Sequence, residues 1–339
     1  MKAIVNSESL LLLAKLVKNG IYQVSVKGES IKLLAEDESK EYMVEIIEPY
    51  NNEKEDGDLT IPREVFSLLP RKTSLLIRED SITSENQEIK LDVQDKSIND
   101  IQINNEKCIN IPNFNKLIEC KYAIAKDKAR PVLQCLYIDK NNIVALDGYR
   151  MSVRSNKENI ACEPILIPYQ IVKLLRNFSK NDMATIYKDD NYIKICFSWV
   201  SIICKRPRDK KGNKLKFINY ESLFPNQDTT RVTLNALELA DICKQITKLN
   251  SYSQIVNFNF NSNESYLVTR VQGIRYKKYF KCHIDGSDLD IAVNAKYMLE
   301  TLRNYKGDAT LCMSNAVSPI TITDYENKKD LVLPIRLMR

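Results

Sequence analysis

VALDGYRMSV, Val144 to Val153, and the tail LVLPIRL, Leu331 to Leu337, are the most informative stretches of this chain. The first reads as a β-turn: Gly148 permits a tight reversal, with apolar residues on either side. The second reads as an apolar terminal strand. Neither has the character of a catalytic motif. Taken by themselves they are a plain turn and a plain core strand.

Outward from these stretches, helix and strand patterns repeat. Ser7 to Lys18 sets Leu10, Leu13, Ala14 and Val17 at helical spacing, with Ser7 or Ser9 as the cap. Pro62 to Leu69 opens a second helix with a proline at its first position. Strand-like runs lie at 22–26, 42–47 and 74–77. The middle third offers a helix over 115–128, strands at 134–139 and 143–146, a helix over 168–178, and strands at 185–187, 192–197 and 200–205. The last third offers a helix from Asn235 or Ala236 to Leu249, then strands at 256–260, 265–269 and 277–282. A helix capped by Asn294 and closed by Gly307 follows, then strands at 309–313, 320–323 and 331–337. The unit recurs about every 110 residues. The expectation is an α+β chain of three similar domains, 1–112, 113–226 and 227–339, each with two helices packed on antiparallel sheets. No low-complexity linker separates them, so rigid packing is expected.

At 339 residues, 44% hydrophobic and 28% charged, the chain has room for two or three domains with real cores. Its formal charge of +6 is compatible with nucleic acid without singling it out. Nine cysteines form no CxxC pair and read as reduced, buried thiols of a cytoplasmic protein. No run approaches the ~20 apolar residues of a membrane helix. The single histidine, His283, has no ligand cluster around it and reads as structural. P-loop, Rossmann, zincin and hydrolase signatures are absent. The acidic pairs Asp189-Asp190 and Asp288/Asp290 sit in turn-like composition. No cofactor or metal is expected.

Three further segments lie in order with the turn and the tail: KDKARPVLQCLYID (Lys126 to Asp139), NAKYMLETLRNYKG (Asn294 to Gly307) and SNAVSPITI (Ser314 to Ile322). Together they resemble the bacterial DNA polymerase III β subunit family, the sliding clamps. In that family a T-D-G-(H/Y)-R-(L/M) turn and a C-terminal M-P-(M/I/V)-R-L strand close on each other around a groove for short peptides. This chain departs at Leu146 (family Thr), at Leu333 (often Met) and at Phe217-Ile218-Asn219-Tyr220 (family F-P-D-Y), and Met338 and Arg339 extend past the usual end.

The resemblance implies three DNA-clamp domains and a head-to-tail homodimeric ring around double-stranded DNA, without sequence preference. It implies a non-catalytic processivity factor, cytoplasmic and nucleoid-associated, that holds the replicative polymerase and clamp loader through short peptide motifs. The groove would be built from Leu133, Leu146, Gly148, Tyr149, Arg150, Met151 and Leu223 on one side. Val317, Leu331, Leu333, Pro334, Ile335 and Arg336 would form the other, with Asn294 and Tyr297 near the rim. Its apolar members would take apolar side chains, while Arg150 and Arg336 donate to the peptide backbone or a carboxylate. Ile246 and Leu249 would help to seal the joint between subunits.

The resemblance also gives a role to the basic helices. Lys15, Arg63, Arg71, Lys72, Lys126, Lys128, Lys173, Arg176, Lys180, Lys296 and Arg303 would face DNA and touch phosphates rather than bases. Their plain reading is a set of solvated helix faces, with lysine favouring helix C-termini. The densest charge run, KRPRDKKGNKLK from Lys205 to Lys216, is a loop by its Pro207 and Gly212. It serves either as a solubilising tip or as an extra phosphate contact. Two alternatives stand beside the clamp: a clamp-like decoy or regulator that closes no ring, and a metal-dependent DNA-processing enzyme. A monomeric mass would favour the first, and metal-dependent turnover the second.

Overall fold

The computed structural model describes residues 1–49, 54–92, 97–101, 103, 106–111, 118–127, 129–139, 142–155, 163–178, 183–249 and 254–336. The chain divides into two compact units, Met1–Asn115 with Lys173–Pro207, and Lys116–Val172 with Arg208–Arg339.

The first unit contains β1 (Lys2–Asn6), β2 (Gly20–Lys27), β3 (Ser30–Asp37), β4 (Tyr42–Glu48), β5 (Gly57–Thr60), β6 (Ser74–Arg78), β7 (Ser81–Ser84), β8 (Gln87–Lys90) and β9 (Glu106–Ile111). The second unit takes β10 (Cys135–Ile138), β11 (Asn142–Leu146), β12 (Arg150–Ser155) and β13 (Ile165–Pro168). Then β14 (Ala184–Lys188), β15 (Tyr192–Phe197) and β16 (Val200–Lys205) return to the first. There they complete an eight-stranded antiparallel sheet, β5-β2-β3-β4-β16-β15-β14-β9, beside a four-stranded sheet, β1-β6-β7-β8. Alternation is clear in β15, where Ile193, Ile195 and Phe197 are buried while their neighbours are half-exposed, whereas β2 and β16 carry runs of buried residues.

The second unit continues with β17 (Thr230–Asn235), β18 (Ile255–Phe260), β19 (Tyr266–Val271), β20 (Ile274–Tyr279), β21 (His283–Gly286), β22 (Leu289–Asn294), β23 (Asp308–Met313), β24 (Ile320–Thr323) and β25 (Lys328–Val332). Nine strands form one antiparallel sheet, β13-β10-β11-β12-β25-β24-β23-β17-β21, and four form another, β20-β19-β18-β22. Among the described residues, α1 (Ser7–Leu16), α2 (Tyr169–Leu175), α3 (Ala236–Leu249) and α4 (Ala295–Leu302) are helices that pack on these sheets. The division between the units falls within α2. Helices α3 and α4 pack together and bury Leu239, Ile242, Ile246, Met298 and Leu302 in one core with Phe258, Phe260 and Ile322. The architecture is α+β, with helices packed on antiparallel sheets.

Several sequence expectations change. Helix α1 is capped not by Ser7 or Ser9 but by Asn6, whose side chain accepts the Glu8 N–H at 2.9 Å. Ser7 instead lies buried and accepts the Thr73 N–H. The helix expected over 62–69 shrinks to a 3-10 turn, Arg63–Ser67, which has no side-chain cap and ends before Pro70. Of the helix expected over 115–128, residues 115–117 and Lys128 lie outside the described residues. A 3-10 turn at Cys120–Ala123 gives way to extended Ile124, and the Ala125 N–H donates to Leu133 O. Helix α2 begins after Pro168, which closes β13, and α4 ends at Leu302, well before Gly307. The tail strand stops at Val332, because Pro334 has no N–H to continue a ladder.

The described cysteines form no disulfide, and burial pushes the Cys120, Cys135 and Cys243 thiols up to about 12. Among the described residues no group of His, Cys, Asp and Glu is placed to hold a metal ion, and no helix is long and apolar enough to cross a membrane.

One contact in the nine-stranded sheet stands out for its burial. Arg154 on β12 and Asp330 on β25 are both essentially inaccessible, and their two hydrogen bonds measure 2.6 and 3.2 Å. The Tyr305 hydroxyl lies within donating distance of Asp330 (2.9 Å) and the Ile322 carbonyl (2.8 Å). Glu119 accepts from Arg154 Nε at 3.2 Å. Burial opposes the Arg154 charge, but Asp330 more than offsets it and holds its pKa above the ordinary arginine value. Removing one partner strands the other in apolar surroundings. Asp330→Ala is therefore expected to cost about 3–5 kcal/mol, read from urea unfolding midpoints, and Arg154→Met in the same chain should recover part of the loss. An unchanged midpoint in Asp330→Ala would refute this account.

Candidate functional site

The site begins at the β11–β12 hairpin. Leu146 pairs with Met151, and Asp147 N–H donates to Arg150 O at 3.2 Å, leaving Gly148 and Tyr149 as a two-residue loop. Gly148 sits at φ +91°, where a side chain would be strained. The Asp147 carboxylate accepts from the Tyr149 and Arg150 amides, each at 3.0 Å, and so caps the turn.

Strand β12 then pairs with β25, Arg150 opposite Val332 and Met151 opposite Leu331. Beyond β25 the chain remains held. Leu333 N–H donates to Tyr149 O at 2.8 Å, and Ile335 N–H to Ala292 O at 2.7 Å. The tail thus lies between the hairpin and β22.

A third segment, 217–225, has little regular structure and is anchored by aromatics. Phe217 stacks on Tyr137 with ring centroids 4.4 Å apart, and Tyr220 meets the same ring edge-on. Tyr220 hydroxyl donates to Asp139 at 2.7 Å and accepts from Asn142 at 2.9 Å. Burial and the neighbouring Asp139 raise its pKa.

These pieces enclose a cavity of about 560 Å³, lined by Arg130, Val132, Leu133, Leu146, Gly148, Tyr149, Arg150, Met151, Ile218, Leu223, Pro319, Leu331 and Leu333. Leu133, Leu146, Met151 and Leu331 are buried in one cluster beneath it, whereas Tyr149, Leu223 and Ile218 stay well exposed. A larger cavity of about 650 Å³ borders the same segment, but Asp228, Arg231, Glu326 and Lys329 give it mixed charge, which suits apolar side chains poorly. The smaller one is the candidate site.

Nine residues named from the sequence therefore line one cavity: Leu133, Leu146, Gly148, Tyr149, Arg150, Met151, Leu223, Leu331 and Leu333. Six do not. Asn294 spends its side chain capping α4, accepting from the Lys296 and Tyr297 amides. Tyr297 stacks on Tyr149 at 5.9 Å. Val317 is exposed in a turn whose Pro319 reaches the cavity instead. Pro334, Ile335 and Arg336 continue the tail past the lining. Sequence reading missed Arg130, Val132, Ile218 and Pro319. Three of them lie inside the quoted segments 126–139 and 314–322, and Ile218 occupies the place where the family proline was noted as lost.

Arg150 differs from expectation. Its Nε donates to Asp147 (3.0 Å), one terminal nitrogen to Glu300 and the other to Tyr122 O (2.7 Å). Its guanidinium lies 4.6 Å from the Tyr297 ring centre and 5.2 Å from that of Tyr122. Burial opposes its charge, and Glu300 and Asp147 more than compensate, so its pKa is raised. With each nitrogen donating inside the protein, Arg150 braces the hairpin while it lines the cavity.

The basic residues are spread over both units. Lys15 lies in the last turn of α1, Arg63 in the 3-10 turn, and Arg71 and Lys72 just after it. Arg63 also donates to the Tyr22 hydroxyl. Lys173 and Arg176 lie at and past the end of α2, and Lys296 and Arg303 at the two ends of α4. Lys126 follows a 3-10 turn and is not on a helix. All nine are exposed. Lys128 and Lys180 lie outside the described residues.

Residues 221–336 match the family model described as DNA polymerase III beta subunit, C-terminal domain. The fold of the whole chain is similar to that of a putative DNA polymerase III beta subunit from Eubacterium rectale, with 20% identity, 99% of each chain covered and a TM-score of 0.86. It is similar to the beta subunit from Thermotoga maritima, with 19% identity, 99% and 100% covered and a TM-score of 0.83. It is also similar to the sliding clamp from Bacillus subtilis, with 15% identity, 100% of each chain covered and a TM-score of 0.85. A sequence search of curated proteins finds no match. Residues 221–336 thus match one domain model of the polymerase III beta subunit, and the chain as a whole shares the fold of these solved structures.

The internal pairing of Arg150 predicts a stability effect beside the cavity. Glu300→Ala removes one of its two carboxylates and should cost on the order of 1–3 kcal/mol. Amide exchange at Leu333, whose N–H is held by Tyr149 O, should accelerate with it. Exchange unchanged from wild type would mean that Glu300 does not brace the hairpin.

Proposed function

We propose that this protein is a non-catalytic DNA polymerase processivity factor, a sliding clamp of three similar domains, cytoplasmic and associated with the nucleoid. Two copies join head to tail and encircle duplex DNA. The ring holds the replicative polymerase and the clamp loader by short peptides seated in the cavity beside Tyr149. Tethering replaces repeated rebinding by a search within one complex, so no covalent step is required.

The observation that carries this reading is the preformed apolar cavity, in a chain that shares its fold end to end with sliding clamps. Leu133, Leu146, Met151, Leu331 and Leu333 offer a dry surface to apolar side chains, and Tyr149, Ile218 and Leu223 form an exposed apolar rim. Arg336 is exposed on the tail and is the arginine we assign to the peptide.

Assembly through sheet edges fits the topology. Strands β8 and β20 are end strands of the two four-stranded sheets, one in each unit. Pairing β8 of one copy with β20 of the next would cover both edges and generate a head-to-tail contact. Ile246 contributes to its own core and not to this joint, whereas Leu249 is exposed at the end of α3. The exposed lysines and arginines suit a weak phosphate contact that leaves the ring free to slide.

Two measurements test the reading. Leu333→Ala should weaken a labelled peptide of the Q-L-x-L-F type by about 1–2 kcal/mol in an anisotropy titration, and a chain ending at Val332 should not bind it. Native mass spectrometry should give a dimer. Undiminished peptide affinity in the shortened chain would displace the partner site, and a strictly monomeric chain at micromolar concentration would favour the decoy.

A further inference from the structure

We infer that the loop over 208–216 extends the cavity electrostatically, and that the peptide this site takes carries acidic residues beside its apolar core. The inference rests on the groove reading above and names the chemistry of its partner.

Arg208, Lys210, Lys211, Lys214 and Lys216 face a single acid, Asp209, within nine consecutive residues. The loop is built rather than loose. Arg208 and Lys214 form a β-bridge, Asp209 N–H donates to Asn213 O at 2.8 Å, and Gly212 N–H donates to Asp209 O at 3.0 Å. Gly212 takes φ +83° at the tip. The Asp209 carboxylate accepts from the Lys211 and Asn213 amides, each at 2.8 Å, and from the Asn213 side chain at 3.1 Å. The lone acid is thereby turned into its own loop, while Lys210, Lys211 and Lys216 are exposed.

The loop runs straight into the cavity wall. Phe217 is fixed by its stack on Tyr137, and Ile218 lines the cavity. At no more than about 3.6 Å per residue, the Cα of Lys216 lies within about 7 Å of that of Ile218. The lining itself has no carboxylate, and of its two arginines Arg150 is paired with Asp147 and Glu300 while Arg130 is exposed. A peptide whose apolar residues fill the cavity and whose chain continues past Ile218 therefore enters a positive field. Acidic side chains there gain ion pairs and a faster encounter, whereas basic ones are repelled. A duplex phosphate backbone is the other polyanion such a loop suits. Its continuity with the cavity wall, rather than with a helix face, favours the peptide.

The test titrates the full chain with three labelled peptides that share one apolar core. One carries a short Glu run before the core, one carries it after, and one has Gln in both places. One Glu form should bind about five- to tenfold more tightly than the Gln form at low salt, the order expected of a few exposed ion pairs. High salt, or the variant K210Q/K211Q/K216Q, should abolish this advantage and leave the Gln form unaffected. Equal affinities for all three peptides, or an advantage that survives in the variant, would overturn the inference. A Gln form that fails to bind would reject the groove reading, and this inference with it. Loss of duplex affinity in the variant with Glu-peptide affinity unchanged would make the loop a nucleic-acid contact instead.

Discussion

The pairing of β12 with β25 is the constraint on which the second unit depends. Arg154 and Asp330 stand 176 residues apart in sequence, yet they meet at hydrogen-bond distance in a fully buried site. Along β12 the residues alternate in role. Arg150, Ser152 and Arg154 enter a polar network with Glu300, Cys120, Glu119 and Asp330. Met151 and Val153, between them, enter the apolar cluster under the cavity. A slip of one residue would exchange these two buried faces, setting two guanidinium groups among leucines and Met151 and Val153 among the carboxylates. The ion pair need not add much net stability, since desolvation offsets most of its attraction. Its effect is to make one register far cheaper than its neighbours.

The cavity inherits that register. Because Met151 is opposite Leu331, Tyr149 O is positioned for the Leu333 amide and the tail cannot drift from the hairpin. Arg150 then ties the turn to α4 through Glu300, and Tyr149 rests on Tyr297. The walls come from segments far apart in the chain, but each is fixed by bonds that do not involve a ligand. An occupant would therefore pay little to order the site, so affinity would track the quality of apolar contact.

Much of this was legible in sequence, for reasons that differ by element. Alternation exposed β15 and β18, because each has one buried face and one half-exposed face, whereas β11 showed itself as a short apolar run. Asn294 announced its helix because an N-cap is a local device, complete within three residues. The stretch after Ile118 misled because its apolar spacing is helical, while the chain turns extended at Ile124 and the Ala125 N–H donates to Leu133 O eight residues on. The tail looked like strand to Leu337 because apolar content does not reveal where ladder partners run out. Half of the cavity was readable from the turn and the tail. Of the wall at 217–223 only Leu223 was read, since the segment has no periodicity and is held by the Tyr137 ring on β10. Nor was the true role of Arg150, because its partner Glu300 lies 150 residues away.

The cations fall into two populations that respond oppositely to ionic strength. Arg150 and Arg154 are buried beside carboxylates, where mobile ions do not reach, and their contribution to architecture is nearly independent of salt. The exposed lysines and arginines of the helices and of the 208–216 loop are screened within about 10 Å at 0.1 M salt. For the function proposed above, a fixed cavity and a light touch on a polyanion would both benefit from this separation. Were the same residues to brace the fold and meet the polyanion, each binding event would compete with the sheet register. Kept apart, weak surface contacts are free to form and break while the β12–β25 seam stays closed.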